Sequence, residues 1–232
     1  MIGPIIGPIR AVVFDMDGLM FNSEDVYTAV GTELLRRRGH VFTAELKDAM
    51  MGLQAQPSFA QMIKFCNLKD TWQELSAESN RLFIEFLPSY LTPMPGLLDL
   101  LYSLERAGVP KAIATSSARE LVDPCLSPFG LQGRFQFILT AEDIAQGKPH
   151  PEIYLTAARR LDVRPAEMMV LEDSRNGCLA AAAAGAFTVA VPGDHSRQHD
   201  FSMAAFVADT LADRQIYKAI GLTPPPPRPA SP

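Results

Sequence analysis

The sequence predicts an α/β fold: a doubly wound parallel sheet carrying a second, smaller, all-helical domain. Three observations predict it. Apolar runs of strand length recur at Ile9–Phe14, Lys111–Thr115, Phe135–Leu139, Met168–Leu171 and Thr188–Val191. From Lys111 onward these runs alternate with helical stripes, as expected for a parallel sheet covered on both faces. Between the first run and the second lies a long segment whose periodicity is helical throughout.

Ile9–Phe14 is rich in β-branched residues and stops at Asp15, after which Gly18 permits a tight turn. Ser23 is the expected N-cap of the next helix, with Glu24 and Asp25 in its first turn and Gly39 as its stop. Tyr27, Val30 and Leu34 give that helix its apolar stripe. Phe59, Met62, Ile63 and Cys66 form a second stripe, and Trp72, Leu75, Leu82, Phe83 and Phe86 a third. Pro88, Pro93 and Pro95-Gly96 mark the exit from this helical insertion. Helices are expected through Leu97, Leu101 and Leu104, through Ile153, Ala157 and Leu161, and over the Ala-rich Leu179–Ala184. The expected organisation is a core of residues 9–19 and 91–222, an inserted helical cap over residues 20–90, and a Pro-rich, polyproline or disordered tail over residues 223–232.

Composition narrows the functional classes. With 232 residues, 47% apolar and 20% charged, the chain reads as globular. A formal charge of −5 gives no electrostatic case for nucleic acid or an anionic membrane as partner. Arg36-Arg37-Arg38 is the one basic run of note, expected to be solvated at a helix end. Three cysteines without a CxxC pair indicate neither a zinc site nor a disulfide framework, and fit a cytoplasmic location. Met1–Ile9 is short, broken by Gly and Pro, and is not read as a signal peptide.

Four polar clusters fall at or just past predicted strand ends: Asp15-Met16-Asp17-Gly18, Thr115-Ser116-Ser117, Gly147-Lys148-Pro149 and Glu172-Asp173-Ser174. In sheets of this kind ligands bind beyond the carboxyl ends of the strands. Four carboxylates converging on one rim repel strongly unless a cation offsets them, and an oxygen-only donor set suggests Mg²⁺ rather than zinc. Ser116 and Ser117 could equally cap the following helix, and His150, between two prolines, reads as a loop residue.

The order and spacing of these clusters, from Ile9 to Pro192, resemble the haloacid dehalogenase superfamily, specifically phosphatase-type members with a Rossmann-like core and an inserted helical cap. The resemblance implies that Asp15 is a nucleophile that becomes phosphorylated and that Asp17 is the general acid and base. It implies that Thr115, Ser116 and Lys148 hold the phosphate. Mg²⁺ would be bound by Asp15, the Asp17 backbone carbonyl and Asp173, with Glu172 acting through water or from behind. The cap is expected to close over the bound phosphate, and its loop at Gly52–Ser58 to meet the leaving group through Gln54 and Gln56.

Asp17 favours phosphate-ester cleavage, because members that cleave carbon–halogen or carbon–phosphorus bonds usually lack an acid there. The alternative is a β-phosphoglucomutase-like enzyme. Such mutases carry Thr and His at positions that align with Ser23 and Tyr27, and an Arg where this chain has Ala55. The expectation is therefore a hydrolase of small phosphorylated metabolites: a sugar, polyol or nucleoside monophosphate. It would be a monomer or small homo-oligomer. A catalytically idle phosphometabolite-binding protein is the alternative from another class. A receiver domain, which also forms an aspartyl phosphate, is disfavoured by the inserted cap and by the acid at Asp17.

Overall fold

The computed structural model describes residues 8–50, 53 and 55–225. Contacts divide the described residues into two compact units: those within 8–21, 93–115 and 133–225 form the first, and those within 22–92 and 116–132 the second.

The first unit is built on a parallel sheet of six strands among the described residues: β1 (Ala11–Phe14), β2 (Lys111–Ala114), β3 (Ile138–Leu139), β4 (Met168–Glu172), β5 (Phe187–Ala190) and β6 (Phe206–Val207). The order is β3-β2-β1-β4-β5-β6. Val13 pairs with Ala112 on one side and Val170 on the other, which makes β1 a central strand. Every residue of β1, β2 and β4 is buried, as the uninterrupted apolar runs require of strands covered on both faces. The chain builds outward from β1 through β2 to β3, then crosses back to lay β4 on the other side. This reversal opens a crevice at the carboxyl ends of β1 and β4.

Among the described residues, four helices belong to this unit: α5 (Leu97–Arg106), α7 (Glu152–Arg160), α8 (Arg175–Ala183) and α9 (Arg214–Ile220). In the second unit lie α1 (Ser23–Arg36), α2 (Ala44–Met50), α3 (Ala55–Cys66), α4 (Trp72–Tyr90) and α6 (Arg119–Leu126). Leu97, Leu100, Leu101 and Leu104 of α5 are all fully buried. Ala180 and Ala181 of α8 pack with Val13, Val170 and the α7 residues Ile153, Tyr154 and Ala157. Their small side chains let α8 approach the sheet closely. Gly96 opens α5 at φ 88°, where a Cβ would stand 2.6 Å from the Leu211 carbonyl carbon.

The second unit has its own core, in which Leu35, Leu46, Met62, Cys66 and Leu75 are buried. The ring of Tyr27 lies 4.6 Å from that of Phe83, joining α1 to α4. Thr71 caps α4 by a reciprocal box with Glu74. Residues 116–132, placed by the sequence with the core, cluster here because α6 packs on α4; Asn80 Nδ2 donates to Glu120 Oε1 at 2.6 Å.

Several local expectations are corrected. Asn22, not Ser23, occupies the N-cap of α1, and its side chain ties to Tyr90 and Thr92 instead of capping. Ala118 is the N-cap of α6, so neither Ser116 nor Ser117 holds that position. Pro88 lies inside α4, which continues to Tyr90. The run at Phe135–Leu139 is a strand only at Ile138–Leu139; Gln136 Oε1 instead accepts the Lys111 amide proton. The arginine run is held more firmly than a solvated helix end. Arg38 reaches Asp70 at 2.6 Å and Glu78 at 2.7 Å, and Arg37 reaches Glu33 and Glu78. No helix of the described residues is long and apolar enough to cross a membrane.

Candidate active site

Three strand ends and one loop supply the polar residues of the first unit's crevice. Asp15 follows β1 directly, and its backbone N–H donates to Leu171 O at 3.0 Å, which fixes it against β4. Thr115 follows β2 and is tied to β3 through Leu139 O at 3.0 Å. Glu172 is the last residue of β4, with Asp173 next. Lys148 comes from the loop before α7.

Lys148 Nζ is the hub. It donates to Asp15 Oδ1, to Glu172 Oε1 at 2.7 Å and to Ala114 O at 3.0 Å, which occupies all three of its N–H groups. Its side chain is only 6% exposed, and Glu172 is fully buried. Burial disfavours the ammonium, but the carboxylates of Asp15 and Glu172 outweigh that and hold its pKa well above the ordinary lysine value. For Asp15, burial pushes the carboxyl up to about 8; Lys148 pulls it down, while Glu172 and Asp17 add to the rise.

Glu172 is bonded at both oxygens. Oε1 accepts from Lys148 and from the Tyr154 hydroxyl at 2.9 Å, and Oε2 accepts from the Ser174 N–H at 3.0 Å and its hydroxyl at 2.9 Å. Ser174 in turn is the N-cap of α8, accepting from Gly177 N–H at 3.1 Å. The carboxylate thus lies at a helix N-terminus, where the dipole favours negative charge. Glycines make the room: a Cβ at Gly177 would overlap the Glu172 carboxylate, and one at Gly18 would overlap that of Asp173. Asp17 joins through Thr115, whose Oγ1 donates to Asp17 Oδ2 at 3.2 Å.

Asp15, Glu172 and Asp173 each bring an oxygen within 4.8 Å of the others. This donor set, all oxygen and short of positive charge with one ammonium among four carboxylates, fits a hard divalent cation. The absent Cβ of Gly18 makes room for the Asp173 carboxylate in this cluster.

Asp15, Asp17, Thr115, Lys148, Glu172 and Asp173 therefore come from four sequence clusters to one crevice. Ser116 and Gln56 belong to the second unit, Gln56 exposed at the second position of α3, and Gln54 lies outside the described residues. Tyr154 was missed in the sequence because it sits beside Ile153 in an amphipathic helix, where an aromatic reads as core. Its position six residues after Lys148 was the available signal. His150 is an exposed loop residue whose Nδ1 accepts from Glu152 N–H.

The comparisons with known proteins agree with this architecture. Residues 12–191 match the family model described as haloacid dehalogenase-like hydrolase. A probable pseudouridine-5'-phosphatase of Drosophila melanogaster is 34% identical over 92% of this chain and 94% of its own length. The β-phosphoglucomutase of Bacillus subtilis is 29% identical over 79% of this chain and 83% of its own. Among solved structures, CbbY from Rhodobacter sphaeroides in complex with xylulose-1,5-bisphosphate superposes with a TM-score of 0.79 at 26% identity, covering 89% of this chain and 96% of that one.

Proposed function

The chain belongs to the haloacid dehalogenase-like hydrolase family, and we propose that it is a Mg²⁺-dependent phosphatase that hydrolyses a small phosphorylated metabolite through a phosphoryl-aspartate at Asp15. The observation that carries this reading is the Lys148 ammonium bonded at once to Asp15 and Glu172 in the crevice between β1 and β4. An aspartate ending a strand is ordinarily a turn residue. One buried against a charged lysine, with three further carboxylates around it that call for a divalent cation, is placed to act as an oxygen nucleophile.

The chemistry follows from the residues. An Asp15 oxygen attacks phosphorus in line, the Asp15 O–P bond forms, and the bond to the leaving oxygen breaks. Asp17 delivers a proton to that oxygen. It then takes a proton from the water that attacks the aspartyl phosphate, which restores Asp15 and yields inorganic phosphate. Thr115 orients Asp17 through the 3.2 Å hydrogen bond. Lys148 offsets charge on the nucleophile and on the transferring group, and its three fixed bonds make it preorganised. Asp15, Asp173 and the Asp17 carbonyl would hold Mg²⁺, with Glu172 behind them. When bound, the ion offsets the repulsion between carboxylate and phosphate.

Relatives support both a phosphatase and a mutase reading. Asp17 suits either, but Ala55 stands where the mutases' distal-phosphate arginine is expected, and it opens α3 as an exposed residue. This favours transfer to water. Gln56, with Gln54, suits a neutral polar leaving group such as a sugar, polyol or nucleoside, and the location is read as cytoplasmic. The test is phosphate release across sugar, polyol and nucleoside monophosphates, with and without Mg²⁺. Metal-dependent release that Asp15→Asn abolishes is expected. Conversion of β-glucose 1-phosphate to glucose 6-phosphate with little free phosphate would favour the mutase.

A further inference from the structure

We propose that Tyr154 is a positioning residue for this reaction, its hydroxyl holding Glu172 so that Glu172 in turn holds Lys148 against Asp15. The inference rests on the phosphatase reading above and adds to it a residue outside the four polar clusters.

Tyr154 is fully buried at the start of α7. Its ring packs in the core with Val13, Ala114 and Ile153, a role phenylalanine would fill as well. The hydroxyl goes beyond what packing needs. It donates to Glu172 Oε1 at 2.9 Å, the same oxygen that accepts from Lys148 Nζ at 2.7 Å. The Lys148 ammonium also stands 5.2 Å from the centre of the Tyr154 ring, within range of a cation–π contact. One side chain therefore touches both members of the ion pair, the carboxylate through its hydroxyl and the ammonium through its face.

Geometry makes the hydroxyl matter. The Glu172 carboxylate has four donors: two on Oε2, both from Ser174, and two on Oε1, from Lys148 and Tyr154. Without the Tyr154 hydroxyl, Oε1 is held only by Lys148, and the carboxylate can pivot about its Ser174 anchor. Lys148 then follows Glu172 rather than holding position toward Asp15. Because Lys148 and Tyr154 are six residues apart, the loop before α7 and the first turn of α7 carry the lysine and its brace together.

Tyr154→Phe removes the hydroxyl and keeps the ring. The expected result is a fall in kcat of about ten-fold, the scale of one hydrogen bond to an ion, with a cooperative thermal transition retained. A purely structural role would not predict coupling, so the variant is also made with Glu172→Gln. If Tyr154 acts through Glu172, Y154F should cost little in that background; independent, multiplying losses would overturn the proposal. Should Y154F fail to fold, 3,5-difluorotyrosine at 154 keeps the shape and alters the donor alone, and unchanged kcat there would overturn it too. Binding of inorganic phosphate in the presence of Mg²⁺, followed by calorimetry, gives a readout that needs no turnover, with weaker binding expected in Y154F. If the wild type releases no phosphate from any substrate, the phosphatase reading fails and this measurement decides on Tyr154. Equal phosphate affinity in the two proteins, or none in either, refutes the proposal.

Discussion

Gly177→Ala sets two physical effects against each other, and the structure decides between them. Gly177 is the third residue of α8. Alanine in a helix ordinarily stabilises relative to glycine by about 1 kcal/mol. Here, however, a Cβ would overlap Glu172 Oε1, Cδ and Oε2 together, and that carboxylate is fully buried with four donors already in place. It has nowhere to go without giving up bonds. Overpacking costs about 1–3 kcal/mol, and each hydrogen bond lost to a charged group about 1.5–3 kcal/mol. After the propensity gain, the net loss is about 3 kcal/mol. For a chain of this size that lowers Tm by about 6–12 °C. Moving Glu172 also moves Lys148, and a misplacement of about 1 Å at a reacting centre costs on the order of a hundred-fold in rate. Thermal denaturation and steady-state phosphate release measure the two effects. A G177A protein that melts at or above the wild-type temperature with full activity would show that the Glu172 anchor is not rigid, and would refute this reasoning.

Two further outcomes are expected. In the metal-free protein the Asp15 carboxyl is pushed up to about 8 by burial, so below that pH it carries a proton that a cation ligand must lose. Mg²⁺ binding near pH 6.5 should therefore release up to about one proton, and affinity should rise with pH and level off above about 8; calorimetry in buffers of different ionisation enthalpy reads this, and buffer-independent heats would contradict it. Thr71→Ala breaks the capping box of α4 and should cost about 1 kcal/mol, or about 2–4 °C in Tm; a larger loss would mean that the cap supports more than its own helix.

How much was legible in the sequence depended on the kind of signal. Strands β1, β2 and β4 could be read because fully buried parallel strands are continuous apolar runs that end at a polar residue. The edge strands β3 and β6 have only two residues each, too few for any period, and β6 had no expectation at all. Helix α2, with Leu46 as its single buried residue, shows no stripe. The grouping of α6 with α4 is a tertiary choice that no local pattern records. The site divides in the same way. Asp15, Asp17, Thr115, Lys148, Glu172 and Asp173 were legible because polar clusters at or beyond strand ends stand out against apolar runs. Tyr154 and Gly177 were not, since a buried tyrosine on an apolar helix face and a glycine in an Ala-rich helix take their meaning only from the carboxylate they meet in space.

In the proposed reaction Asp15 becomes covalently phosphorylated. The most direct measurement is rapid acid quench of the enzyme during turnover with Mg²⁺ and a cleaved phosphomonoester, followed by mass spectrometry of the peptide that contains Asp15. A phosphoryl adduct on that peptide is expected, formed fast enough to account for turnover and absent from Asp15→Asn. Sustained phosphate release with no adduct on Asp15, or an Asp15→Asn protein that turns over as fast as the wild type, would contradict it.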